Sequence, residues 1–198
     1  MSVSKDPNGL WCVILAAGAS TRLGKPKQLV RYRSRPLLLH AAHAATSMSP
    51  NHTIVVLGAH SLRLRALIAR HLESVSVVVN PRWQSGMTSS LITGLSALPS
   101  NARAALLVLS DQPRVGPQSL RRLVKAWRTK PSAPAAAYFS DTIGAPAILP
   151  RRYWVDIRKL RGDVGARSLL QQAGVNTTKV TMPEAALDVD TDEDLKRL

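Results

Sequence analysis

Two groups of side chains in this sequence have types and spacings suited to chemistry on a polyphosphate. The first is the run from Leu15 to Lys27, which mixes small residues with fixed positive charge. Small residues at Ala16, Ala17, Gly18 and Ser20 let backbone approach a phosphate or a base, and Gly18 and Gly24 permit positive φ. Backbone N–H groups in such turns form hollows for anions. Arg22 adds a planar fork of donors, and Lys27 a mobile point charge. The run carries neither the Gly-Lys-Ser/Thr ending of a P-loop nor a G-x-G-x-x-G fingerprint.

The second group is acidic. Among 27 Lys+Arg and only 12 Asp+Glu, a carboxylate beside an apolar run calls for an explanation. Asp111 follows the apolar stretch Ala104 to Leu109, while Asp188 and Asp190 stand two apart, on one face if that segment is extended. Adjacent carboxylates raise each other's pKa unless a cation lies between them. Mg²⁺ is the cation that such acids, with phosphate oxygens, would hold. Helix capping is the plainer role for Asp111, with Pro117 ahead.

The elements that must position these residues alternate. Trp11–Ala17, Thr53–Leu57, Ser74–Val79 and Ala104–Leu109 read as strands. Pro36–Thr46, Ser61–His71, Thr88–Leu98 and Pro117–Arg128 read as helices. Beyond them the order loosens: Ala135–Phe139 and Ala145–Leu149 as strands, and helical turns at Arg151–Leu160 and Gly165–Ala173. Val175–Val180 and Leu187–Asp190 follow as extended pieces. A short last helix, Thr191–Leu198, has Thr191 as cap and Asp194 three residues on. Such alternation predicts a three-layer α/β/α sandwich with a mainly parallel, Rossmann-like central sheet. Ligands in that architecture sit beyond the C-terminal strand ends, where the Leu15–Lys27 run and Asp111 emerge.

Bulk properties narrow the function classes. A polar tail over residues 1–9 and one domain over 10–198 fit the length, and no linker or repeat appears. Cys12 is the sole cysteine, lies in an apolar run and reads as core, so no internal disulfide forms. The N-terminus does not begin like a secretory signal, and no stretch approaches the roughly 20 apolar residues of a membrane span. The expectation is a soluble cytoplasmic domain with no membrane partner, monomeric in the first instance. The formal charge of +15 suits polyanions, but it is scattered and aromatics are only 4%, which disfavours nucleic acid. None of the histidines His40, His43, His52, His60 and His71 has metal-ligand spacing on a helix face, and no catalytic triad suggests itself.

Leu15 to Lys27 resembles the L-A-A-G-x-S-x-R-x-G-x-x-K motif of nucleotidyltransferases with a glycosyltransferase-A-like fold, with Leu23 where methionine is commoner. The resemblance runs along nearly the whole chain and is closest to the molybdenum cofactor cytidylyltransferase branch. Its further carriers are Asn80-Pro-Arg-Trp-Gln-Ser-Gly-Met-Thr-Ser-Ser-Leu91, Leu109-Ser-Asp-Gln-Pro113, Arg161-Gly-Asp-Val-Gly-Ala-Arg167 and Asp188-Val-Asp-Thr191.

That resemblance implies transfer of CMP from CTP to the phosphate of a molybdopterin-type acceptor, with pyrophosphate released. Arg22, Lys27 and Asp111 would be catalytic. The nucleotide would lie against Leu15, Ala16, Ala17, Gly18, Ser20, Arg22, Lys27, Gly86, Ser89 and Ser90. Asp111 would be the first Mg²⁺ ligand and the Asp188/Asp190 pair the second, Asp190 being preferred. The Ala16-Ala17-Gly18 opening points to CTP rather than GTP. Gly144, Pro146, Asp163 and Arg167 would meet the acceptor, although Ala145 replaces the histidine of many relatives' Gly-His-Pro. A molybdoenzyme or its maturation chaperone would receive the product. Other phosphorylated acceptors (a sugar, a polyol, a guanylyl-accepting pterin) and a non-catalytic basic domain remain open.

Overall fold

The computed structural model describes residues 9–160, 162, 165–172 and 176–198. Strands β1 (Leu10–Ala16), β4 (Thr53–Leu57), β5 (Val75–Val79) and β6 (Ala104–Leu109) form the parallel half of a seven-stranded sheet. The other half is β8 (Thr142–Pro150), β7 (Ala135–Phe139) and β9 (Thr178–Thr181), giving the order β5-β4-β1-β6-β8-β7-β9. β8 runs antiparallel to both neighbours, and β9 pairs parallel with β7. The mainly parallel sandwich expected from the sequence is therefore present, with one reversed strand. The tail over residues 1–9 falls almost wholly outside the described residues.

Each strand of the centre is buried on two faces, so its apolar run is nearly continuous. Cys12, Ile14 and Ala16 point to one side, where α1 (Leu37–Thr46), α2 (Ser61–His71) and α4 (Pro117–Arg128) supply Leu38, Leu64, Leu120 and Leu123. Val13 points to the other, against Leu91 and Leu95 of α3 (Met87–Ser96) and Leu169 and Leu170 of α6 (Arg167–Gln172). The thiol of Cys12 is fully buried and donates to the Ala45 carbonyl at 3.4 Å, as befits a core residue. Gly94 explains how α3 tolerates a glycine: a Cβ there would lie 2.5 Å from Val13 Cγ1 and 2.8 Å from Val56 Cγ2. The helix sits too close to the sheet for any side chain.

Several local expectations change. A two-residue ladder, β2 (Arg31–Tyr32) with β3 (Arg35–Pro36), precedes α1, so Pro36 ends a strand and sits at the helix N-cap, one position ahead of its first turn. Arg151–Leu160 is a 3-10 turn followed by the four-residue α5 (Trp154–Ile157). Leu187–Asp190 is extended but joins no strand ladder. The Val189 N–H, bonded to the Asp111 carbonyl at 2.9 Å, ties it to the C-terminal end of β6. Ala173 and Val175, at the ends of two expected elements, lie outside the described residues. α7 (Asp192–Lys196) carries the expected capping box: Thr191 Oγ1 accepts from the Asp194 N–H, and Asp194 accepts from the Thr191 N–H.

Candidate active site

The chain leaves β1 for β4 and β5 on one side, then returns to place β6 on β1's other flank. The C-terminal ends of β1 and β6 thus border the point where strand order reverses, where open α/β sheets form their binding crevice. The Ser110 N–H donates to the Leu15 carbonyl at 3.2 Å and stitches the two ends together. A cleft of about 610 Å³ opens there. Leu15, Ala16, Ala17, Gly18, Ser20, Arg22, Lys27, Gly86, Ser90, Asp111, Asp188 and Asp190 all line it. These residues come from four separate stretches of sequence.

The loop after β1 is held from behind. Ser20 has φ 59° and the loop's Gly24 φ 68°, whereas Gly18 does not occupy the left-handed region. The expectation for Gly18 is corrected accordingly: the turn is made at Ser20, whose Oγ accepts from the Lys27 N–H at 3.1 Å. A Cβ on Gly18 would meet nothing within 4 Å, so its smallness leaves open space above the loop. Leu23 anchors the turn by packing with Leu37 and Val189.

Charges of both signs meet across the cleft floor. Lys27 lies in a 3-10 turn (Lys27–Leu29), and its Nζ bridges Asp111 Oδ2 and Asp190 Oδ1, the latter at 2.7 Å. Arg22 reaches Asp190 Oδ2 at 2.7 Å from the solvent side. Val189 is fully buried, so Asp188 and Asp190 on either side of it both turn to the cleft, as their spacing predicts. Burial pulls the Lys27 pKa down, but Asp111 and Asp190 outweigh it and leave the ammonium above its ordinary value. Burial likewise works against the Asp190 carboxylate, and Lys27 and Arg22 reverse it, so its pKa is lowered.

For Asp188 the balance goes the other way, because a hydrogen bond from Gln112 and the more distant charge of Lys27 only partly offset what opposes its ionisation. Protein crowding around it, and then the charge of Asp111, push its carboxyl up to about 6. Its side chain is nevertheless open to water, because it stands on the wall of a concave cleft, so solvent screens part of that effect.

The acids fit a divalent ion. Asp111 Oδ1 is buried with no hydrogen-bond partner, an acceptor left for a cation. Among the described residues no three acidic, histidine or cysteine side chains converge into a closed cage. A sparse set of carboxylates completed by phosphate oxygens is how Mg²⁺ is ordinarily held.

Other expected residues divide. Ser90 lines the cleft and Ser89 does not; both hydroxyls accept from Asn80 Nδ2, at 3.0 and 2.8 Å, and shape the Asn80–Gly86 turn. Gly144 and Arg167 line a second pocket, of about 440 Å³, walled by Leu91, Leu107, Leu109, Ala147 and Leu170. Pro146 is buried and is not among its lining residues, and Asp163 lies outside the described residues. The two pockets share Leu15, Met87, Leu109 and Asp188.

Sequence reasoning missed Trp83, Met87, Gln28 and Gln112. Trp83 packs where a Gly58 Cβ would sit, 2.5 Å from its own Cβ and 2.7 Å from the Ala17 carbonyl, so Gly58 admits it to the cleft wall. Gln112 Nε2 donates to the carbonyls of Ala145 and Ala185, at 3.2 and 3.0 Å, and joins the end of β6 to β8 and to the 3-10 turn Pro183–Ala186. The adjacency of Gln28 to Lys27 and of Gln112 to Asp111 is the one mark these two glutamines carry in the sequence, and it does not reveal what they bond.

Comparison with known proteins agrees with this fold. Residues 12–178 match the MobA-like NTP transferase domain. The nicotine blue oxidoreductase of Paenarthrobacter nicotinovorans is 34% identical over 94% of each chain. Rv0371c of Mycobacterium tuberculosis superposes with a TM-score of 0.81 at 30% identity, covering 95% of this chain and 96% of that one. A manganese complex of Rv0371c is also similar, with a TM-score of 0.78 over 96% and 97% of the two chains and 30% identity. A nucleotidyl transferase of Methanothermobacter thermautotrophicus shares the fold, with a TM-score of 0.78 at 20% identity over 95% of this chain and 94% of the other.

Proposed function

The chain belongs to the family of MobA-like NTP transferase domains, and we propose that it transfers CMP from CTP to the phosphate of a molybdopterin-type acceptor. The observation that carries this reading is the cluster of Arg22, Lys27, Asp111 and Asp190 on the floor of a cleft framed by the Leu15–Ser20 backbone. Such a floor suits a triphosphate, whose charge the two cations and the loop would cradle.

In the proposed reaction an oxygen of the acceptor phosphate forms a bond to the α-phosphorus, the α–β P–O bond breaks, and pyrophosphate leaves. A phosphate monoester is already ionised and nucleophilic at neutral pH, so no side chain need act as a strong base. Arg22 and Lys27 would orient the triphosphate and offset charge on the leaving oxygens. Asp111 and Asp190 would hold Mg²⁺, which supplies Lewis-acid stabilisation of phosphate charge. Manganese in the complex of Rv0371c is a related hard divalent ion.

The second pocket supports a flat ring over a sugar, with apolar walls for the ring's faces and Ser168 and Gln171 for its polar edge. Its leucine and alanine walls offer little to hydroxyl groups, and Arg167 can meet an anionic end. Asp188 lies on both cavities, so an acceptor in the second pocket would have its phosphate beside the triphosphate. A molybdoenzyme or its maturation chaperone is the proposed recipient of the product.

The test is a pyrophosphate-release screen of the four triphosphates with Mg²⁺, with and without molybdopterin. Release with CTP that requires the pterin is expected. Release with GTP alone overturns the cytidine assignment, and release only with a sugar phosphate overturns the acceptor. The name of the P. nicotinovorans relative gives a second reading, to which the apolar pocket also lends itself. Nicotinamide-dependent reduction of an aromatic dye with no triphosphate present would decide for it.

A further inference from the structure

Gln28 is a fully buried polar residue with no part in charge neutralisation, yet it lies against the cleft. Its Nε2 donates to two carbonyls of the loop after β1, Ala16 O at 3.2 Å and Gly18 O at 3.0 Å. The carbonyl between them, Ala17 O, accepts from the Ala59 N–H at 3.0 Å. Beyond them, the Ser20 carbonyl accepts from the Leu23 and Gly24 N–H groups, each at 3.1 Å.

A peptide unit is planar and trans, so a carbonyl held on one side turns the next residue's N–H to the other. Fixing Ala16 O and Gly18 O on Gln28 therefore directs the N–H groups of Ala17 and Ala19 away from it, on a loop that forms the cleft's wall. A single amide with two protons suits this task, because it can donate to two carbonyls at once. Gln28 also follows Lys27 in the same 3-10 turn. That turn carries the ammonium to the acids through one residue and the brace to the loop through the next.

We infer that Gln28 is a positioning residue for the nucleotide. It holds the Ala16–Ala19 backbone with the Ala17 and Ala19 N–H groups presented to the triphosphate, and it sets that backbone in register with Lys27. The inference rests on the nucleotidyltransferase reading of the cleft and adds a determinant of nucleotide affinity outside the charged set. Backbone donors held this way contact substrate in both ground and transition states. Loss of the brace is thus expected in nucleotide binding and KM, with kcat changing far less.

The experiment measures binding of CTP with Mg²⁺ by calorimetry, and steady-state KM and kcat, for wild type, Gln28→Met and Gln28→Asn. Gln28→Met keeps the volume and removes both donors; Gln28→Asn keeps an amide one methylene short. Trp154→Phe is the structural control. It removes another buried hydrogen bond, Trp154 Nε1 to Leu149 O at 3.1 Å, well away from the loop. The inference expects the Kd for CTP to rise on the order of tenfold in Gln28→Met, the size of one lost hydrogen bond. Gln28→Asn should fall between it and wild type, and Trp154→Phe should bind as wild type whatever its melting temperature. If Gln28→Met does not fold, Gln28→Asn against Trp154→Phe decides alone. CTP affinity at the wild-type level in the folded glutamine variants, or an equal loss in Trp154→Phe, overturns the inference. If wild type itself binds no triphosphate, the failure lies with the reading of the cleft.

Discussion

Lys27→Met should produce a stability defect that a divalent cation repairs. The Lys27 ammonium is the charge that keeps Asp111 and Asp190 together, and its side chain is only 14% exposed, with Asp111 at 15% and Asp190 at 33%. At an effective dielectric near 20, one such contact at about 3 Å is worth roughly 5 kcal/mol before desolvation. Removing one member of a fully buried pair costs about 3–5 kcal/mol, because the partner charge is left uncompensated. Water reaching Asp190 trims this to about 2–3 kcal/mol, or roughly 4–12 °C in Tm for a chain of this size. Arg22 is retained and cannot make up the loss at Asp111, which it does not touch. Mn²⁺ in the same position would supply the missing positive charge. Thermal melts of wild type and Lys27→Met should therefore differ by several degrees in EDTA and converge in millimolar Mn²⁺. Calorimetry without nucleotide should show tighter Mn²⁺ binding by the variant, since no ammonium competes for the carboxylates. An equal Tm deficit with and without Mn²⁺, with no gain in Mn²⁺ affinity, would mean that Lys27 does not occupy the place of a divalent cation.

Asp188→Asn should stabilise the metal-free protein at neutral pH. The Asp188 carboxyl titrates near 6 against an ordinary 3.8, so its favourable contribution is complete below 3.8 and is lost as pH rises through about 6. The full shift corresponds to roughly 3 kcal/mol, which water in the open cleft reduces to about 1 kcal/mol. Melts in EDTA from pH 3.5 to 7.5 should show the variant's advantage growing across that window. Gly94→Ala should lower stability by about 1–3 kcal/mol through overpacking against Val13 and Val56, while activity per folded molecule is kept. Denaturant melts and active-site titration check this. Arg167→Ala should raise the acceptor's KM about tenfold or more and leave the KM for CTP unchanged, as two-substrate kinetics can read.

The sequence carried the fold's centre because its strands are buried on both faces and so stand out as short apolar runs. It carried the cleft because Lys27, Asp111 and Asp190 are charges where apolar residues end. Other features had no such mark. The reversed direction of β8 depends on pairing between β6 and β7, which no local pattern in Thr142–Pro150 encodes. The β2–β3 ladder is two residues long on each strand, too short for any periodicity. Residue type marks Gly18 and Gly24 as the places for positive φ; Gly24 adopts it and Gly18 does not, and the left-handed turn at Ser20 depends on the tertiary Ser20–Lys27 hydrogen bond. Gln28 escaped notice for a related reason: its two acceptors are main-chain carbonyls ten and twelve residues away, and backbone groups leave no trace in side-chain composition.

The central claim is that this cleft joins the α-phosphate of a triphosphate to an acceptor, using Lys27 and the acids of its floor. The direct test follows α-labelled CTP with Mg²⁺ and molybdopterin, in wild type and Asp111→Asn. Label should pass to the pterin with one pyrophosphate released per transfer, at a rate lower by about 10²–10³ in Asp111→Asn, the loss typical of one charge-stabilising group. Label transfer by Asp111→Asn at the wild-type rate, or no label transfer from any triphosphate by the wild type, would contradict that claim.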